Sequence, residues 1–221
     1  MEKNKVMMPQ LGSNAPRFVA NSTLGPIKLT DYIGKWLVFF CHPSDFTPVC
    51  STEIIAFSKL NDEFNKRNCE LLGLSVDSNP SHIAWMRDIE KNTGTQVPFP
   101  LISDSNKEIA NMYGMMGDTN SDSHTVRNVY IIDPNQKIRC ILIYPAENGR
   151  NITEILRMVD ALQVTDSDGV LTPANWVPGS NTIMRSPQNY IELMDKMKTN
   201  NPNCIDWYLC FNNDNNDLRR W

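Results

Sequence analysis

The chain has no apolar run approaching the roughly 18 residues a membrane-spanning helix needs, and its opening stretch, MEKNKVMMPQLG, holds no signal-like apolar segment. A cytoplasmic protein with no membrane partner is therefore expected. A basic surplus is also missing, since 21 lysines and arginines face 25 acids for a formal net charge of −4. That excludes nucleic acid as a partner, because gripping a phosphate backbone calls for a basic face. Histidine is scarce, with only His42, His82 and His124, and no Cys-x-x-Cys occurs. Neither a zinc site nor any other cofactor is expected. The cysteines Cys41, Cys50, Cys69, Cys140, Cys204 and Cys210 are widely scattered. In a reducing compartment an even count implies no disulfide framework, so most of them read as inert core residues. The Asn-x-Thr sequons at Asn21 and Asn151 carry no weight in a chain that does not meet the glycosylation machinery.

What remains is an ordinary soluble composition, 41% hydrophobic and 21% charged over 221 residues. That length fits one large domain, or one domain with an extension. KWLVFFC (35–41) is a nearly continuous apolar run of strand length, as a central strand covered on both faces shows. A helix follows, with Thr47 as a possible N-cap, Pro48 at its first position, and Ile54, Phe57, Leu60 and Phe64 at helical spacing. CELLGLSV (69–76) reads as a second buried strand. Asn79-Pro80 opens another helix, with Ile83, Met86 and Ile89 on one face. KEIANMYGMM is a shorter helix ending near Gly114, and RNVYIID and KIRCILIYP flank the turn Asp133–Gln136 as a hairpin. Asn151 and Glu154 start a last core helix bearing Ile155, Leu156, Val159 and Leu162.

The order β-α-β-α, an inserted helix, then β-β-α predicts an α/β fold, a thioredoxin-like core with helices on both faces of a central sheet. Residues 1–164 make that domain. Residues 165–221 are proline- and turn-rich, with one helix over Pro187–Lys198 and an Asn/Asp-rich tail, NNDNND. So few apolar positions cannot bury a core of their own. An arm exchanged across a homodimer is the expectation.

Cys50 falls in the first turn of the helix that begins at Pro48. The bland reading is a small buried residue, and the sharper one is a thiolate held where the helix favours negative charge. Unpaired N–H groups at a helix start favour an anion by about 0.3–1 kcal/mol, up to ~2 in sheltered geometry. Taking an ordinary thiol from a pKa near 8.5 to about 6 needs roughly 3.4 kcal/mol. The helix alone falls short, and ionisation alone gains only some tens of fold in rate. A cation and a hydroxyl must converge on the sulfur where charge develops.

PSDFTPVC carries the Pro-x-x-x-Thr-x-x-Cys signature, with Pro43, Thr47 and Cys50 in place. On that motif the chain resembles the peroxiredoxins, and HPSDFTPVCSTE looks like their one-cysteine class. HTVRNVYIID and YPAENGRN resemble the same class and supply Arg127 and Arg150. The resemblance runs over essentially the whole chain, arm included. It implies a thiol-dependent peroxidase reducing hydrogen peroxide and organic hydroperoxides, with Cys50 becoming a sulfenic acid and an external thiol, glutathione or thioredoxin, reducing it. It also implies that Thr47 bonds the peroxide, Arg127 stabilises thiolate and transition state, Pro43 shields the sulfur, and Glu53 orients the arginines. Read singly, Thr47 is a good N-cap, Arg127 a strand-edge charge, and Glu53 a first-turn acid. His42 either bonds near the thiol, as in the class, or simply ends a strand.

Cys204 and Cys210, in CIDWYLC, are two inert thiols or, by likeness to relatives with a similarly spaced pair, resolving thiols for Cys50, with Cys210 the better candidate. The phospholipase serine of some one-cysteine relatives has no counterpart in LTDYIGKW. The competing function is a disulfide oxidoreductase or a chaperone on the same fold. The former needs a second cysteine three residues from Cys50, where Thr47 and Glu53 stand.

Overall fold

The run WLVFFC is buried along its whole length, which requires both faces of its sheet to be covered. In the computed structural model of the chain, which describes residues 8–117, 124–199 and 201–212, it is one strand of seven. The elements of the sheet's unit are β1 (Val19–Ser22), β2 (Gly25–Lys28), a 3-10 turn (Leu29–Tyr32), β3 (Trp36–Cys41), α1 (Pro48–Asn65), β4 (Cys69–Ser75), α2 (Asn79–Thr93), β5 (Leu101–Ser103), α3 (Glu108–Met112), β6 (Arg127–Ile132) and β7 (Ile138–Tyr144). There follow α4 (Ile152–Asp168), α5 (Tyr190–Lys198), β8 (Cys204–Asp206) and β9 (Leu209–Cys210). The chain divides into two compact units, Met1–Thr153 and Glu154–Trp221.

In the first unit the sheet runs β2-β1-β5-β4-β3-β6-β7. Strands β3, β4 and β5 are parallel, and the β1–β2 and β6–β7 hairpins lie antiparallel to their neighbours. Side chains of β3 alternate between two cores, as the period of a strand requires. Leu37, Phe39 and Cys41 enter a cluster with Phe18, Tyr113 and Tyr130. There Phe39 and Tyr130 each meet the Tyr113 ring edge-on, at 5.0 and 5.1 Å between centroids. On the opposite face Phe40 stacks on Phe57 of α1 at 4.1 Å. That stack fixes α1 against the sheet beside the end of β3.

Gly73 of β4 sits where this second core is tightest. A Cβ there would stand 2.5 Å from Leu101 Cδ2 and 3.2 Å from the Phe40 ring. Leu101 is fully buried, so its side chain cannot swing out into solvent. Gly73→Ala is therefore expected to destabilise the domain by about 1–3 kcal/mol through overpacking. A thermal melt no lower than that of wild type would contradict the tightness of this contact.

Several local expectations change. The β1–β2 hairpin and the three-residue β5 have no counterpart in the sequence reading. Each is too short to show a period, and β1 leaves Val19 largely exposed. Helix α2 is capped by Ser78, whose hydroxyl accepts from the Ser81 N–H, not by Asn79. Its buried face is His82, Trp85 and Ile89, while Ile83 is 51% exposed. A polar residue displaces an apolar one because His82 has buried partners, described below. Helix α5 starts at Tyr190, three residues after Pro187, because the Asn189 side chain accepts from the Glu192 N–H. In the second unit, β8 and β9 form a small hairpin. All but the first residue of the NNDNND tail lies outside the described residues.

Candidate active site

Strand β3 ends at Cys41, and α1 begins seven residues later, with Thr47 extended at the N-cap position (φ −102°, ψ 149°) and Pro48 at N1. The expected cap is not made. The Thr47 hydroxyl donates instead to the Ser44 carbonyl at 2.8 Å, and only the Thr47 carbonyl joins the helix, accepting from the Ser51 N–H at 3.0 Å. This turns the hydroxyl back into the loop that precedes the helix.

Cys50 is the third residue of α1 and is fully buried. Arg127, at the start of β6, donates from Nη1 to Cys50 Sγ at 3.4 Å and to Glu53 Oε2 at 2.7 Å. Its Nε donates to the Ala146 carbonyl at 2.8 Å, and Nη2 reaches the same oxygen. Glu53, almost one helical turn after Cys50, also holds Arg150. Oε1 accepts from the Arg150 N–H and Nε, both at 2.8 Å, and Oε2 accepts from Nη2 at 2.7 Å. Arg150 Nη1 donates to the carbonyls of Cys41 and Asn128, at 2.9 and 3.1 Å. Its guanidinium lies over the Phe40 and Phe57 rings at 5.2 and 5.6 Å, a cation–π arrangement.

Burial opposes the Glu53 charge, but Arg150 and then Arg127 outweigh it and hold the carboxyl below its ordinary range. Two guanidiniums then face one carboxylate in a site closed to water. One positive charge is therefore left over beside Cys50.

The other expected residues divide. Pro43 is buried in the loop. His42 is buried, and its Nε2 is 3.0 Å from Asp45 Oδ1, so that nitrogen is turned to the loop. Asp45 was not anticipated, nor was its second partner, His82, at 2.9 Å. The one available clue was spacing, since Asp45 follows His42 by three residues, the reach of a tight turn.

Cys41 and Cys69 are buried, as expected. Burial pushes the Cys41 thiol up to about 11, against the pull of Arg150, and burial and Glu70 push Cys69 up as well. Cys140 is only half-buried, on the outer strand β7 of the sheet, which departs from a core reading. Cys204 and Cys210 are not two separate thiols. They are bonded to each other across β8–β9, six positions apart. The antiparallel register sets the two residues opposite one another, which no spacing rule revealed. Protein denatured without reductant is expected to titrate with four free thiols per chain, rising to the six of the sequence after reduction. Six at the outset would refute the bridge.

Residues 11–141 match the AhpC/TSA family, and residues 161–195 match the C-terminal domain of 1-Cys peroxiredoxin. The chain belongs to the peroxiredoxin family. It is 53% identical over 208 residues to Peroxiredoxin 2 of Caldanaerobacter subterraneus subsp. tengcongensis, covering 94% of each chain. It is 46% identical over 216 residues to the peroxiredoxin of Aquifex aeolicus, covering 93% of this chain and 97% of that one. Among solved structures, a yeast mitochondrial 1-Cys peroxiredoxin superposes with a TM-score of 0.82 at 43% identity, over 92% of this chain and 99% of that one. That protein resolves its thiol through glutathione/thioredoxin systems. Peroxiredoxin 6 of Arenicola marina superposes with a TM-score of 0.76 at 38% identity, over 84% and 88% of the two chains. The fold of this peroxiredoxin is the thioredoxin fold, and the protein is a thiol-dependent peroxidase, an oxidoreductase.

Proposed function

We propose that Cys50 is the thiol that meets peroxide. Its thiolate attacks one oxygen of the O–O bond, so that an S–O bond forms and the O–O bond breaks. The sulfur is oxidised by two electrons to a sulfenic acid, and water or an alcohol leaves after taking a proton. Two equivalents of an external thiol then reduce the sulfenic acid through a mixed disulfide, releasing water. Arg127 faces the sulfur and stabilises both the thiolate and the oxygen it attacks. Thr47 aligns the peroxide, and Pro43, which lacks an N–H, closes the site without adding a competing donor. Glu53 and Arg150 hold Arg127, and His42 supports the loop.

The observation that carries this reading is the Nη1 of Arg127, shared between Cys50 Sγ at 3.4 Å and Glu53 at 2.7 Å. Arg127→Lys keeps the charge but loses the planar fork that reaches sulfur, carboxylate and the Ala146 carbonyl together. The rate constant with peroxide is expected to fall at least about tenfold, or 1.4 kcal/mol, with the fold intact. An unchanged constant would remove Arg127 from the site.

The reductant proposed is glutathione or thioredoxin, as for the yeast 1-Cys relative. The Cys204–Cys210 bridge supports this, because bonded thiols cannot attack a sulfenic acid. Turnover measured separately with glutathione, thioredoxin and dithiothreitol decides between them. A homodimer made through the C-terminal arm, residues 165–221, belongs to the same reading. Its support is the second unit's exposed Tyr190, Ile191, Met197 and Tyr208, a concentration of apolar surface that marks interaction sites. The acidic composition, and the lack among the described residues of a helix able to cross a membrane, are consistent with the proposed cytoplasmic location.

A further inference from the structure

The loop between β3 and α1 contains a strained residue. Phe46 has φ +55°, a left-handed conformation that a bulky side chain adopts at a cost, and it is 56% exposed. Strain of this kind persists only where the surroundings impose it. Here the imposing groups act on the two residues just before Phe46. The Asp45 N–H and the Ser44 hydroxyl both donate to Asp77, at 2.9 and 3.2 Å. The Asp45 carboxylate is held from beneath by His42 and His82.

His82 is held through both ring nitrogens. Its Nε2 is 3.1 Å from the Ile102 carbonyl, an oxygen that only accepts. Its Nδ1 is 2.9 Å from both oxygens of Asp45. Burial opposes a charge on Asp45, but the bonds from His42 and His82 outweigh it and hold the carboxyl well below its ordinary range. Asp45 is therefore a carboxylate, which also only accepts.

Burial pushes the His42 pKa down despite Asp45, so His42 is a neutral ring donating from Nε2. All three side chains of the trio are buried.

We infer that His82, held between the Asp45 carboxylate and the Ile102 carbonyl of β5, is a positioning residue for the peroxide site. The path is short and continuous. His82 fixes Asp45, Asp45 and Asp77 fix the loop, and the Ser44 carbonyl in that loop accepts the Thr47 hydroxyl at 2.8 Å. His82 touches neither the sulfur nor the peroxide. It sets where the Thr47 hydroxyl stands when peroxide arrives. The inference rests on the reading of Cys50 and Thr47 as the peroxide site.

The test separates positioning from mere folding by using two reagents on one sulfur. Peroxide needs the Thr47 hydroxyl in register, whereas alkylation of Cys50 by iodoacetamide does not. In His82→Gln the rate constant for Cys50 oxidation by hydrogen peroxide is expected to fall about tenfold or more. The alkylation rate and the circular dichroism should stay at wild-type values. Asp45→Asn, measured in the same way, should show the same split.

An unchanged peroxide rate overturns the proposal, and so does a parallel fall in both rates. If neither variant folds, the role is structural and the proposal fails. Wild type is the control for the underlying reading, since a wild-type Cys50 that peroxide leaves untouched removes that reading itself, and the proposal with it.

Discussion

Cys50→Ser is expected to abolish peroxide consumption, lowering the rate by roughly 10³-fold or more, while leaving the fold unchanged. A serine hydroxyl fits the space of the thiol but cannot supply an anion near neutral pH, and oxygen does not form the sulfenic product. Four of the other five cysteines are unable to substitute. Cys41 is buried, donates to the Val126 carbonyl at 3.0 Å and is pushed up to about 11 by its burial. Cys69 is buried beside the charge of Glu70, and Cys204 and Cys210 are bonded to each other. A sulfenic-acid trap added with one equivalent of peroxide should therefore label Cys50 first in wild type and nothing in the variant. Trapping at Cys41, Cys69 or Cys140 in otherwise unmodified protein, or residual peroxidase activity in Cys50→Ser, would defeat the assignment.

The central strands were legible because burial on two faces forces continuous apolar runs, and WLVFFC and CELLGLS could be little else. The helix at Pro48 was legible from its proline and its spacing. The β1–β2 hairpin was not, since four residues with one buried side chain carry no period. The site was legible only as a set of residue types. Pro43, Thr47, Cys50 and Arg127 were drawn together by motif resemblance, and the structure links Cys50, Arg127, Glu53 and Arg150 in that order through hydrogen bonds. What the sequence hid were pairings between distant elements. Asp45 and His82 are 37 positions apart, and nothing local marks a helix histidine as the partner of a loop carboxylate. The Cys204–Cys210 bridge was hidden for a different reason. Compartment arguments weigh against disulfides in general, and they say nothing of two cysteines set opposite one another by a hairpin.

Glu53→Gln is expected to cost the domain about 3–5 kcal/mol near neutral pH, because it leaves two buried guanidiniums without their carboxylate. The Glu53, Arg127 and Arg150 side chains are 2%, 3% and 0% exposed, so solvent cannot take the carboxylate's place. A glutamine keeps the shape and can accept through one oxygen, but its amide nitrogen must then face a guanidinium donor. The effect depends on pH in a definite direction. Glu53 is held below its ordinary range by Arg150 and Arg127 against the opposing effect of burial. A depressed carboxyl binds its proton more weakly in the folded chain than in the unfolded one. Its stabilisation is thus complete above the ordinary glutamate value of about 4.3 and is lost as pH falls through the lower folded value. Urea unfolding of wild type and Glu53→Gln should show the full gap near neutral pH and a gap that closes in acid. The variant keeps some acid sensitivity of its own, since Asp45 is depressed by His42 and His82 in the same sense. Peroxide reactivity should fall as well. Arg127 keeps only the Ala146 carbonyl as an anchor, and its Nη1 is no longer drawn to the point from which it reaches Cys50. A variant as stable as wild type at neutral pH would mean that the arginines do not need their carboxylate, and the charge balance assigned to the site would be wrong.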